Sequence, residues 1–354
     1  MKTRASAPAA EAPAIDGPAT VVVVGEALMD LIQVDRSTLY ESAPGGNPAN
    51  VALGLGRLDV PVRLCARLSG DAFGQRIAAH LAANGVDLSA SIRAREPTSL
   101  AVAASPAGDG VEYDFWVNGT ADWQWRDSEL IDAVGDHAVA LYVGSLAATM
   151  PPGDAAVFRC AERARERATV IYDPNCRPTL MGAPDAVRGR IEALVAVADV
   201  VKASADDLAW LMPGLSPTEA ARVWCRLGPA IVAVTLGASG VVAVTTSGAT
   251  VERPGRAVDV VDTVGAGDAF TSALMAALHR AGLLGAQRRA DLAAIPEHDL
   301  AAILDMAVLA SAINCTRRGA DPPTYAELLA IQRREAGPVA APRPAALEDS
   351  SNRA

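Results

Sequence analysis

With 354 residues, 51% of them hydrophobic, and a formal net charge of −10, the chain is long enough to bury the core of one large α/β domain, while no run reaches the roughly 20 apolar residues of a membrane span. The acidic balance excludes a general nucleic-acid surface, which needs dense Lys and Arg to displace counterions from phosphates. The five cysteines, Cys65, Cys160, Cys176, Cys225 and Cys315, form no CxxC pair, which speaks against a disulfide framework or a zinc site and for thiols in a reducing compartment.

Residues 1–19 lack an apolar h-region and are broken by proline and acid, so they read as a disordered leader rather than a signal peptide, and the protein as cytoplasmic. Residues 21–25 are a short β-branched block ending in glycine, the pattern of a buried strand where the fold begins. Similar blocks recur at 62–68, 139–145, 169–173, 199–202, 230–235 and 240–246, separated by alanine-rich stretches of helical spacing such as 49–58 and 154–167. That alternation predicts βαβ units around a mostly parallel sheet flanked by helices. Two stretches, 31–42 and 98–125, break the rhythm; the second contains an alternating run from Val111 to Val117. Both predict half-exposed antiparallel strands of a small lid. Residues 282–299 interrupt two helical segments and predict a surface insertion, and residues 332–354, rich in Ala, Pro and charge, a disordered tail. The folded unit is then 20–331.

The chemistry concentrates in Asp262-Thr263-Val264-Gly265-Ala266-Gly267-Asp268-Ala269-Phe270, which runs straight into a helical stretch over 269–280. Small residues at a helix N-terminus let backbone N–H groups face an anion, and the macrodipole favours it. Asp268, at the lip of this hole, is placed to accept the proton of a hydroxyl attacking a phosphoryl group. Local chemistry leaves a second reading open, in which Asp268 simply caps the helix. Lysine occurs only at Lys2 and Lys202, and no Gly-Lys pair exists, so a Walker A phosphate loop is excluded.

This segment closely resembles the second signature of the PfkB, or ribokinase-like, family of carbohydrate kinases, and Gly45-Gly46-Asn47-Pro48-Ala49-Asn50-Val51-Ala52 resembles the first. Further matches are Asp173-Pro174-Asn175-Cys176-Arg177, Lys202-Ala203-Ser204 followed by Asp206-Asp207, Thr235-Leu236-Gly237-Ala238-Ser239-Gly240, and the run from Asn314 to Ala320, so the resemblance covers about residues 20–330. It implies a ribokinase-like α/β fold with a small β-sheet lid closing over a sugar. It also implies Asp268 as catalytic base, with the N–H groups of Gly265, Ala266 and Gly267 as the anion hole. Asp30, Gly45, Gly46, Asn47 and Asn50 would grip the sugar, as carboxylate and amides grip vicinal hydroxyls, and Arg177 would neutralise transferred charge. Thr235, Gly237, Ala238 and Gly240 match the nucleotide loop, Lys202 would touch phosphates, and Asn314 would border the adenine. ATP would come with Mg²⁺, near Ser204 and Asp207, where Asp207 stands in for the family's longer Glu; the resemblance leaves room for K⁺ beside the Asp262 loop.

Each assignment has a plainer alternative: a helix cap for Asn47, a solvated strand-end acid for Asp30, a hairpin for 235–240, an exposed helix residue for Asn314, a strand-end cation for Lys202, a surface ion pair for Arg177. Asn47-Pro48 resembles the fructokinase-like branch, so fructose leads as acceptor. Against fructose, the lid run Phe115-Trp116-Val117-Asn118 lacks the arginine that fructokinases often place there; that absence favours a neutral hexose or related polyol over an acidic sugar or sugar phosphate. Tyr113, Phe115, Trp116, Trp123 and Trp125 would stack on a sugar or base, or form lid core. A nucleoside kinase, a 2-keto-3-deoxygluconate kinase and a non-catalytic sugar-binding protein are the alternatives, and pairing of exposed lid edges would give a homodimer. His80, His137, His279 and His298 fall in no metal or triad spacing.

Overall fold

A computed structural model describes residues 19–34, 37–104, 112–131 and 133–336; leader residues 1–18 and tail residues 337–354 lie outside the described residues, as does the Tyr113 side chain. In chain order the strands are β1 Thr20–Val24, β2 Leu28–Gln33, β3 Tyr40–Gly45, β4 Val62–Cys65, β5 Arg67–Ser69, β6 Val86–Asp87, β7 Ile92–Ala94, β8 Leu100–Ala104, β9 Glu112–Trp116, β10 Ala138–Gly144, β11 Thr169–Asp173, β12 Val200–Ser204, β13 Ile231–Thr235, β14 Val241–Thr245 and β15 Thr250–Arg253. Nine of them form the main sheet in the order β15-β14-β13-β12-β11-β10-β1-β4-β6. All pairings from β12–β13 through to β4–β6 are parallel, and only β14 and β15 run against their neighbours.

Strand β1 shows why the sheet is central. Its valines alternate between two cores, Val21 and Val23 on one face, Val22 and Val24 on the other, and all four are fully buried. Each such valine contributes roughly 1.5–3 kcal/mol by leaving water. Helices Asn47–Arg57, Ala266–Arg280 and Glu297–Cys315 cover the first face through Val51, Leu55, Phe270, Leu274 and Leu304, and helices Asp154–Ala164, Pro184–Val197 and Pro217–Cys225 the second through Val157, Ile191 and Trp224. By length and composition Glu297–Cys315 is the one helix among the described residues that could cross a membrane; here its apolar face is spent on the Ala266–Arg280 helix and the sheet.

Several expectations need correction. The lid is a separate four-stranded sheet, β3-β2-β8-β9, but its middle pair β2–β8 is parallel, not antiparallel. Both strands leave the body from the same side, where Met29 N–H bonds Ser99 O at 3.0 Å. The lid ends at Trp116: Trp123 and Trp125 are buried in the main core beside Leu130 and Leu146. The 62–68 block breaks into β4 and β5, which belong to different sheets. The 282–299 stretch lies mostly at the surface between the Ala266–Arg280 and Glu297–Cys315 helices, anchored by buried Leu284, Leu292 and Ile295 and by Arg289 Nε, which donates to Asp199 Oδ1 at 2.7 Å. The last helix, Tyr325–Ala336, runs past residue 332, as its Ala, Glu, Leu and Arg content favours.

Candidate active site

In an open α/β sheet, ligands bind beyond the carboxyl ends of the parallel strands where the strand order reverses. Here that point lies between β1, whose successors β4 and β6 lie to one side, and β10, whose successors run to the other. A cavity of about 550 Å³ opens there, bounded by Glu26 after β1, Asp30 on β2, Ser145 after β10, Asn175 and Arg177 after β11, and the Gly265–Asp268 turn.

The turn is built as a donor surface. Gly265, the N-cap of the Ala266–Arg280 helix, sits at φ 75°, where a β-carbon would also lie 2.6 Å from Ala320 Cβ, so only glycine fits. Ala266 N–H closes the turn onto Thr263 O at 3.2 Å and is therefore not free for an anion, a departure from the three-donor hole expected from sequence. The N–H groups of Gly265 and Gly267 meet no protein acceptor among the described residues, and the helix dipole reinforces them. Asn314 is not exposed: it is fully buried and its Nδ2 donates to Val264 O at 2.7 Å, bracing the turn.

Asp268 is held from the other side. Asn47 Nδ2 donates to its Oδ1 at 2.7 Å and Asn50 Nδ2 to its Oδ2 at 2.8 Å. Tyr142 O–H in turn donates to Asn47 Oδ1 at 2.6 Å, which fixes the orientation of that amide. Burial raises the Asp268 carboxyl above its ordinary value, and Asn50, Asn47, Lys202 and Arg177 restrain the rise. Asp268 thus does not cap its own helix; both oxygens face Asn47 and Asn50 of the opposing helix, and each keeps a lone pair for a hydroxyl. Asn47 likewise makes no side-chain cap; Gly46 takes that position.

Asp30 lines the same cavity. Burial first, then the Asp268 charge, push its carboxyl up to about 7, against the pull of Arg177; it is no solvated strand-end acid. Gly45 leaves it room, since a β-carbon there would stand 2.1 Å from Asp30 Oδ2. Arg177 makes no surface ion pair: Nη1 donates to Asn175 Oδ1 at 2.9 Å and to Cys176 O at 3.0 Å. Lys202 is buried rather than solvated. Its Nζ pairs with Asp173 Oδ2 at 3.0 Å and lies where a side chain on Gly267 would be, so the ammonium sits directly under the donor turn. Burial favours its neutral form, but Asp173, Asp207 and Asp268 outweigh that and keep it charged.

The sequence pattern of the pfkB family carbohydrate kinases matches residues 18–326. The chain belongs to this family. This PfkB protein is therefore a carbohydrate kinase, a phosphotransferase with an alcohol acceptor, on a ribokinase-like fold. It is 32% identical over 280 residues to a fructokinase of Rhizobium leguminosarum bv. trifolii, covering 77% of this chain and 83% of that one. Among solved structures it is similar to a fructokinase with bound ATP from Xylella fastidiosa, with a TM-score of 0.82, 28% identity and 90% and 99% of the two chains covered. It is also similar to aminoimidazole riboside kinase from Salmonella enterica, complexed with aminoimidazole riboside and an ATP analog, at a TM-score of 0.76, 26% identity and 89% and 100% coverage.

The kinase's remaining candidate residues lie outside the cavity. Thr235, Gly237, Ala238 and Gly240 form the tip of the antiparallel β13–β14 hairpin, with Gly237 and Ala238 exposed. Ser204 and Asp207 make a capping box: Asp207 Oδ2 accepts Ser204 N–H at 2.8 Å and its hydroxyl at 2.7 Å, while Oδ1 accepts Cys176 N–H at 2.7 Å. Both oxygens are engaged, and no three metal-ligating side chains converge among the described residues. Sequence reasoning missed Tyr142, Glu26 and Ser145, because each reads as an ordinary strand-end residue; only Glu26, an acid between two buried strands, carried a signal.

Proposed function

We propose that this kinase transfers the γ-phosphoryl group of ATP to a hydroxyl of a neutral sugar, with fructose the leading acceptor. One observation carries the reading: Asp268 is half-buried beside an unsatisfied helix N-terminus, with both oxygens held by asparagine amides in the wall of a sugar-sized cavity. The acceptor hydroxyl lies against Asp268, which takes its proton as the oxygen attacks. A carboxylate whose affinity for protons is raised by burial does this more readily at neutral pH. The N–H groups of Gly265 and Gly267 and the Lys202 ammonium face the charge on the transferring group. Asp30, Gly46, Asn47 and Asn50 hold the sugar, and Arg177 adds positive charge. The hairpin tip at 235–240 receives the nucleotide. Ser204 and Asp207 would hold Mg²⁺, through water because Asp207 is engaged in a helix cap, and the ion would supply positive charge to offset that of the phosphates.

The names of the fructokinase relatives support fructose; the absence of an arginine in the 115–118 lid run supports a neutral sugar over a sugar phosphate but speaks against fructose itself. The similarity to a riboside kinase, together with Phe115 in the cavity wall, favours a nucleoside as the second reading. The test is ADP release from MgATP with fructose, ribose, glucose, 2-keto-3-deoxygluconate and adenosine. Fructose is expected to turn over fastest, and Asp268→Asn to lower kcat by about 10²–10⁴ while sugar binding persists. A sugar that binds without any turnover would instead support a non-catalytic sugar-binding protein.

A further inference from the structure

Glu26, Ser145 and Asn175 line the sugar cavity without a role in the chemistry above. Two of them hold unusual backbone. Ser145, just after β10, has φ 56° and ψ −145°, a region open essentially to glycine, and Asn175, just after β11, has φ 37°; strain of this kind persists only where the surroundings impose it. The surroundings here are polar bonds. Ser145 N–H donates to Asp173 O at 2.9 Å and Ala147 N–H to Glu26 Oε2 at 3.2 Å. Asn175 Nδ2 reaches Ser145 Oγ at 3.4 Å, and the Ser145 hydroxyl lies close enough to the Glu26 carboxyl to pull against the rise that burial causes there.

A serine hydroxyl has one proton and two lone pairs. The Glu26 carboxylate accepts only, so it takes the proton; Asn175 occupies one lone pair; the other is left for the cavity. We infer that Ser145 is a specificity-determining residue that accepts a hydrogen bond from one hydroxyl of the acceptor sugar, and that Glu26 is the positioning residue that fixes its polarity. A site with this wall selects an acceptor carrying a hydroxyl donor at that place and rejects its deoxy or keto counterpart. The inference rests on the sugar-kinase reading above.

Initial rates are measured at about pH 8, above the value of about 7 to which burial raises Glu26. The groups facing Glu26 there are Asp122, Tyr142 and Ser145. Ser145→Ala is expected to raise the KM for the sugar about tenfold, as loss of one hydrogen bond to a buried network does, with kcat and the KM for ATP changed less than about twofold. Ser145→Gly, which removes the backbone strain and so keeps the fold, should show the same rise. Among deoxyfluoro analogues of the sugar, one position should lose activity with wild type, because fluorine cannot donate, and lose nothing further with Ser145→Ala. Glu26→Gln should raise the sugar KM too, but add nothing in the Ser145→Ala background. An unchanged sugar KM in both Ser145 variants, or a full Glu26→Gln effect on top of Ser145→Ala, overturns the inference. Should wild type phosphorylate adenosine and no sugar, the fructose reading falls, and the same variants measured on the riboside decide Ser145 independently.

Discussion

The Asp268 carboxyl has amides rather than cations as its hydrogen-bond partners. Asn47 and Asn50 satisfy Asp268 at 2.7 and 2.8 Å without locking it into an ion pair, so it stays basic, while the charges that restrain it, Lys202 and Arg177, act from farther away. Removing an amide should therefore raise the Asp268 pKa, since a hydrogen bond to the charged form is what lowers it. In Asn50→Ala the acid limb of the kcat–pH profile is expected to move upward; an unmoved limb would mean that Asp268 is not the group being titrated. Lys202 meets Asp173 in a pair that is buried on both sides. Burial pushes Asp173 up to about 6, and the ammonium keeps it from rising further, so the pair is ionised where the kinase would work.

Two helices have to meet for these contacts to exist, and a glycine decides how closely. A β-carbon on Gly54 would stand 2.3 Å from Ser272 Oγ, across the seam between the Asn47–Arg57 and Ala266–Arg280 helices. Asn47 and Asn50 lie on the first helix and Asp268 on the second, so the seam sets their separation. Gly54→Ala should push the helices apart, destabilising the fold by about 1–3 kcal/mol, the usual cost of overpacking, and lowering kcat as the amides leave Asp268. Gly54→Ala with Ser272→Gly returns the space and should recover both the melting temperature and most of kcat. A double variant no better than Gly54→Ala alone would show that the seam does not govern the site.

Across the whole molecule, the acids gathered at the switch point make stability depend on pH in an unusual direction. Burial raises Glu26 and Asp30 to about 7, and Asp122 and Asp173 to about 6. In the unfolded chain these groups titrate near 4, at roughly ordinary carboxylate values. Between about pH 4 and 7 the folded state therefore binds more protons than the unfolded one, and stability falls as pH rises through that window. Asp71, where burial is outweighed by the Gly74 N–H and Thr98 and the carboxyl is held at about 2, acts only below it. The ligand-free protein is expected to melt at a higher temperature at about pH 5.5 than at about pH 8; calorimetry showing the reverse would mean that these acids are not desolvated as a group. Much of this architecture was legible beforehand. The apolar blocks at 169–173 and 230–235 fall within a residue of their strands, because a strand buried on both faces has to be written as a nearly unbroken apolar run. The Gly-Ala-Gly-Asp turn pointed to an anion hole and a base because that backbone conformation admits few other residues. The tertiary structure alone decided which partners meet: that Asp268 turns to two asparagines 218 and 221 residues away instead of capping its helix, that Lys202 lies inside under Gly267, that Asn314 braces the turn, and that Trp123 and Trp125 belong to the body and not the lid. Backbone propensity and hydrophobic period are local and leave a trace in the sequence; the destination of a polar side chain depends on what other segments bring to it, and a single sequence carries no mark of that encounter.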